Sequence, residues 1–154
     1  MIRCLVALPL ALGCAGEKGI SWQNDPGSLT LDGEECSDGW DTSLGYCLEG
    51  GDTFSVDGGG ECGGVRSRAT VWLPGDALAA GPEFALQENA SALPPGEGTV
   101  WVERGDQTWK SASGTVTLDV QDIWVSATFS GEFVDFLSGE DPVSASGWVW
   151  CERP

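Results

Sequence analysis

The chain has no histidine, one methionine, one tyrosine and only seven basic residues in 154. Each shortage excludes something. Without an imidazole, Ser-His-Asp and Cys-His nucleophile systems and most zinc hydrolase sites lack the group that titrates near neutral pH. Seven Lys and Arg stand against 24 Asp and Glu, for a formal charge of −17. Such a balance leaves no basic surface for nucleic acid or anionic lipid. No Cys-x-x-Cys pair is present to start a metal site. No phosphate-binding or dinucleotide-binding glycine turn stands between a strand and a helix. After the first fourteen residues, no apolar run reaches the length of a membrane-spanning helix.

What is present begins with those fourteen residues, MIRCLVALPLALGC. Arg3 supplies a positive start, residues 4–12 are apolar, and small residues lead into Cys14. This is the layout of an export signal. Ala11-Leu12-Gly13-Cys14 resembles a bacterial lipobox, with Ala11 where Leu is commonest three residues before the cysteine. The resemblance implies lipidation of Cys14 and a membrane anchor made of lipid alone. Ordinary cleavage between small residues, releasing a soluble protein, is the competing reading.

Under either scheme Cys36, Cys47, Cys62 and Cys151 remain in the exported part. Four cysteines in an exported chain predict two disulfides, with three connectivities open. The pairing Cys36–Cys47 with Cys62–Cys151 is the working expectation. It would staple a Gly/Asp-rich loop and tie the C-terminal strand to the body. About 140 residues follow Cys14, enough for one domain with a real core. All 24 acids lie in this part, scattered rather than blocked, which argues for a solvated surface and a monomer.

The organisation expected is a signal or lipobox over 1–14, a tether over 15–26 and a single β domain over 27–154. Short apolar or alternating runs rich in Thr, Val, Trp and Phe predict strands at 28–31, 45–48, 53–56, 66–73, 83–87, 99–103, 108–111, 114–120, 123–129, 132–136 and 143–151. A helical turn is expected near 76–80 or after Gly131. The fold class is all-β, a single antiparallel sandwich or small barrel. Residues 33–64 hold three of the four cysteines and read as a disulfide-stapled loop region, with Gly58-Gly59-Gly60 as a flexible loop. Residues 89–98 read as an exposed loop, and 114–120 with 123–129 as a hairpin around Gln121 and Asp122.

The segment SASGTVTLDVQDIWVSATFSGEFVDF resembles a pattern of uncharacterised bacterial lipoproteins, S-G-T-V-T, a turn, then V-S-G-T-F-S. Here Ala127 stands where that pattern has Gly. The strand–loop–strand ATVWLPGDALAAGPEFAL before it is similar to the segment that precedes the pattern, so the likeness spans residues 69–136. It implies a β-rich envelope lipoprotein and brings no activity.

Three features carry candidate chemistry. Asp32, Glu34, Glu35, Asp38, Asp41, Asp52, Asp57 and Glu61 crowd one Gly-rich region. Oxygen ligands on loops suit calcium, with Asp32, Asp38, Asp41, Asp52 and Asp57 as candidate ligands, although the D-x-[DN]-x-[DN]-G spacing is absent and solvation is the simpler account. Any two of the 24 acids at the right separation would suit glycoside hydrolysis, and none is singled out. The third feature is tryptophan, eight in all. In Val71-Trp72-Leu73, Val100-Trp101-Val102 and Ile123-Trp124-Val125, neighbours on a strand must face opposite ways. Core packing of the indoles is the simpler expectation. If the aliphatics fill the core instead, Trp72, Trp101 and Trp124 lie outside as a platform for a glycan or protein. The expected role is a lipid-anchored envelope module for binding or structure. A small carboxylate-dependent hydrolase and a calcium-stabilised adhesion module are the alternatives.

Overall fold

The computed structural model describes residues 27–36, 40–41, 47–88 and 93–153, with backbone only at 40–41. Residues 1–26 fall outside, so the export signal, Cys14 and the tether lie beyond the described part.

Eleven strands and one helical turn make up the described chain. In order they are β1 (Ser28–Leu31), β2 (Glu34–Glu35), β3 (Trp40–Asp41), β4 (Cys47–Gly50), β5 (Thr53–Cys62), β6 (Val65–Pro74), α1 (Ala77–Ala80), β7 (Glu83–Leu86), β8 (Glu97–Arg104), β9 (Gln107–Gln121), β10 (Trp124–Asp135) and β11 (Val143–Glu152). All strands join one sheet in the order β2-β1-β11-β10-β9-β7-β8-β6-β5-β3, with β4 also on β5. Every pairing is antiparallel except β7 with β8. The all-β, antiparallel expectation holds, with that one parallel pair as an exception.

Two-residue turns set most of the registers. Leu31 pairs with Glu34 around Asp32-Gly33, whose φ angles of 49° and 81° are both positive. Cys62 pairs with Val65 around Gly63-Gly64, at 59° and 79°. This left-handed pair of residues matches the twist of a tight hairpin, and Asp and Gly adopt it at low cost. The β9–β10 turn is Asp122-Ile123, one residue later than expected, because Gln121 is already paired with Trp124.

Four expectations need correction. The runs 108–111 and 114–120 are one fifteen-residue strand, β9, and the pieces 123–129 and 132–136 join in β10. A bulge hides the continuity, since Phe133 pairs with Ser111 and Glu132 with Ser113, leaving Ala112 without a partner on β10. Residues 132–135 are therefore strand, and among the described residues only 77–80 form a helical turn. Residues 97–98, assigned to an exposed loop, open β8. Gly58-Gly59-Gly60 is no loop: it lies in the ten-residue β5, paired with β6 on one side and, at Gly59 and Gly60, with β3 on the other. Within 33–64, strand thus replaces much of the expected loop. A Cβ on Gly59 would come within 3.0 Å of the Ser67 carbonyl oxygen, so the strand needs the missing side chain there.

The sheet forks at the bulge. β8 and β9 pair at 101–104 with 107–110, then separate, and β7 enters between them. Ser111 sits at the branch with no solvent exposure. Its hydroxyl donates to the Gln87 carbonyl (2.9 Å) and accepts the Val100 N–H (3.0 Å), with Thr99 Oγ1 at 3.2 Å. One side chain therefore satisfies backbone groups that the parting strands leave open.

The sheet curls so that β10 and β11 pack against β5, from which they are far removed in strand order. Between them lies the core, including Phe54, Val71, Val100, Val125, Phe129 and Phe133, each no more than 1% exposed. Two disulfides staple this closure, Cys36–Cys62 and Cys47–Cys151. The expected pairing is overturned. Cys47 stands beside Val56, six residues from Cys62 along an extended strand, or roughly 20 Å. Cys36 lies next to the Cys62 end of β5, and Cys47 meets β11 across the core. Disulfides place the folded chain in an oxidising, exported compartment. Among the described residues no helix is long and apolar enough to cross a membrane.

Candidate functional site

Period-two alternation puts the two faces of β6 and β8 in different surroundings. Ala69, Val71, Leu73, Val100 and Val102 turn inward and are fully buried. Trp72 and Trp101 therefore turn outward and are half-buried. The core-packing expectation for these two tryptophans is overturned, because their neighbours along β6 and β8 are the residues that take the inner face.

On this outer face the two rings meet, with centroids 6.2 Å apart and planes tilted by 57°. Phe136, just past β10, joins edge-on, 5.1 Å from Trp101. Lys110 stands opposite Trp101 on β9 and holds its ammonium 5.7 Å from the Phe136 ring centre. The same ammonium pairs with Glu88 at 2.7 Å. The result is a three-ring apolar patch with Lys110 and Glu88 at its edge.

Beside the patch, β5 and β6 carry a buried polar strip on the same face. Asp57 is 3% exposed and receives Arg68 at both oxygens, Nε to Oδ1 at 3.2 Å and Nη2 to Oδ2 at 2.9 Å, with the Thr70 hydroxyl donating to Oδ1. Ser55 and Trp72 are cross-strand partners. Ser55 Oγ and Trp72 Nε1 are buried and have no hydrogen-bond partner among the described residues. An unpaired buried donor costs about 1–3 kcal/mol, so the patch carries unmet hydrogen-bonding capacity at its margin.

Of the three expected platform residues, the fold unites Trp72 and Trp101 and sends Trp124 elsewhere. Trp124 is ten residues along β10 from Val134, which neighbours Lys110, or roughly 33 Å. There it packs edge-on against Trp150 at 5.1 Å. Phe136 and Lys110 had no signal in the sequence, because only the strand order brings them to Trp101.

The candidate calcium ligands are not gathered by the described part. Asp32 is in the β1–β2 turn, Asp52 in the β4–β5 turn, and Asp57 is bound to Arg68 and Thr70. Asp38 and the Asp41 side chain lie outside the described residues. Among those described, no three His, Cys, Asp or Glu side chains group closely enough to hold a metal.

Two carboxyl groups are held below their ordinary range. Glu34 is lowered by its hydrogen bonds to Arg104 and by the charge of that guanidinium, at 2.8 and 2.9 Å. Asp135 is lowered chiefly by the Ser138 N–H and hydroxyl at 2.7 and 2.9 Å, closing the turn after β10. A lowered folded pKa stabilises the fold above the unfolded values of 4.5 and 3.8, and that stabilisation disappears as pH falls through the folded values. Both groups are exposed, so the effect is small. Thermal melts from about pH 5 to pH 2 should show a shallower acid decline in a Glu34→Gln, Asp135→Asn double variant than in the parent. Equal slopes would show that neither contact matters to folding.

The chain matches no protein-family model, no curated protein and no solved structure.

Proposed function

We propose that this protein is an exported, lipid-anchored binding module whose outer sheet face takes a neutral glycan on Trp72, Trp101 and Phe136. The observation that carries this reading is the cluster of three aromatic rings on the outer face of a sheet whose inner face alone fills the core. Large apolar rings kept at the surface favour a partner with apolar and polar edges. A sugar ring has both, with C–H groups to lie on indole and hydroxyls for Lys110, Glu88 and polar groups at the margin. The formal charge of −17 selects against polyanionic glycans. The Cys14 anchor would hold such a module at a membrane surface, where envelope glycan is the abundant neighbour.

The test is affinity electrophoresis or depletion on neutral polysaccharides, with a polyuronate as control. Trp101→Ala should weaken retention about 30-fold, the scale of losing one aromatic anchor of about 2 kcal/mol. Its melting temperature should stay close to that of the parent, since Trp101 is outside the core. Retention unchanged by Trp101→Ala, or stronger on the polyuronate, would refute the reading.

A further inference from the structure

The end of the curled sheet opposite α1 holds a cleft of about 460 Å³ that no sequence motif announced. Two tight turns form its lips. One is Asp32-Gly33, fixed by the Asp32 N–H donating to the Ser144 carbonyl at 2.8 Å. The other is Gly105-Asp106, fixed by the Gly105 N–H donating to the Arg66 carbonyl at 2.9 Å. Arg104 from β8 and Glu34 from β2 join across the cleft in a two-point ion pair. Leu31, Val65, Trp109 and Val143 supply the apolar lining, and Asp32, Asp106 and Gln107 the remaining polar groups.

Several properties suit this cleft to a small ligand. Its volume lies within the roughly 300–1,000 Å³ of small-molecule sites. It pairs an apolar lining with a few polar groups on rigid turns, the usual division between burial and orientation. Trp109 is 8% exposed, the most buried tryptophan described, yet it still reaches the cleft wall.

Charge then narrows the ligand. Asp32, Glu34 and Asp106 are acidic, and the one cation of the described lining, Arg104, is engaged at both terminal nitrogens by Glu34. An anion would meet carboxylates without a free guanidinium. A neutral polyhydroxy compound would meet an indole for its C–H face and carboxylate and amide oxygens for its hydroxyls.

We infer that this cleft is a second binding site, for a neutral mono- or disaccharide, lined by Trp109 and lipped by Asp32, Asp106 and Gln107. It stands apart from the outer-face reading, since the two sites share no residue and either can exist without the other.

The experiment is an NMR titration of the oxidised protein with maltose, cellobiose and lactose, following the indole N–H signals, with glucuronate as the charged control. Trp109→Phe identifies the Trp109 signal. That signal should shift saturably with at least one of the three sugars at millimolar concentration. Gln107→Ala, an exposed change that spares the core, should weaken the response about tenfold, the scale of one neutral hydrogen bond. Trp101→Ala should leave it intact. No shift of the Trp109 signal with any of the three, a response untouched by Gln107→Ala, or an equal response to glucuronate would each overturn the proposal. Loss of the response in Trp101→Ala would assign the binding to the outer face instead.

Discussion

Replacing Cys47 and Cys151 together by alanine should destabilise the domain by about 4–5 kcal/mol, the largest loss available from one pair of residues here. The crosslink joins residues 104 apart. It ties β4, at one end of the sheet, to β11, which reaches that region only by folding back over β5. Without it the unfolded chain regains the freedom of a loop covering most of the described sequence, and the curl loses the longer of its two covalent clasps. Both side chains are buried, at 6% and 1% exposure, so alanine leaves no stranded hydroxyl. The matched Cys36→Ala, Cys62→Ala pair closes only 26 residues and should cost about 3–3.5 kcal/mol. Urea midpoints of the two double variants decide the order. A larger loss from the Cys36–Cys62 pair would contradict the argument from loop length, and peptide mapping that recovered Cys36 joined to Cys47 would contradict the fold itself.

Phe129→Ala should cost about 3–5 kcal/mol. The ring is 1% exposed and lies 6.1 Å from that of Phe133, at a tilt of 58°. Its tip also covers Gly147 on β11, the residue paired with it: a Cβ built there would meet Phe129 Cζ at 3.0 Å and crowd the Ser28 carbonyl. The glycine is small because β1 passes close by, and the phenylalanine fills the space that it leaves. Alanine at 129 therefore opens a cavity bounded by backbone on one side, which relaxes poorly. Phe129→Leu keeps most of the volume and should cost less than half as much. Leu137, 92% exposed in the turn after β10, is the control, and Leu137→Ala should change stability by less than about 0.5 kcal/mol. If Phe129→Ala melted within a degree or two of the parent, the packing of β10 against β11 described here would be wrong.

Much of the fold was legible because strands announce themselves locally. The alternation through Val71-Trp72-Leu73 and Val100-Trp101-Val102 placed strands within a residue or two of β6 and β8, and Gly-Pro-Asp clusters marked most boundaries. The failures share a cause. Gly58-Gly59-Gly60 reads as loop by composition, yet pairing on both edges extends β5 through it, and local propensity yields to tertiary contact. The expected disulfide pairing took Cys36 and Cys47 as the two ends of a stapled loop, whereas the extended β5 sets Cys62 beside Cys36 and holds it roughly 20 Å from Val56, the neighbour of Cys47. The bulge at Ala112 broke one strand into two by the same route.

The candidate sites divide in the same way. Trp72 and Trp101 were visible as outward or inward alternatives, whereas Phe136 and Lys110 had no mark in the chain. Trp109 lacks aliphatic neighbours on both sides, so it fell outside the triplet pattern, and the cleft that it lines draws on residues from Leu31 to Val143.

The chain by itself determined that the domain is β-rich, acidic, disulfide-bonded and without imidazole chemistry, because these depend on composition and on a two-residue period. Only the tertiary structure decided which face of each strand is the inside, which cysteines meet, and which distant side chains share a patch or a cleft. A period of two defines a pair of faces with equal claim to the core. The choice between them falls to the sheet's curl, which buries the face whose side chains pack against β5, β10 and β11 and leaves Trp72 and Trp101 on the other.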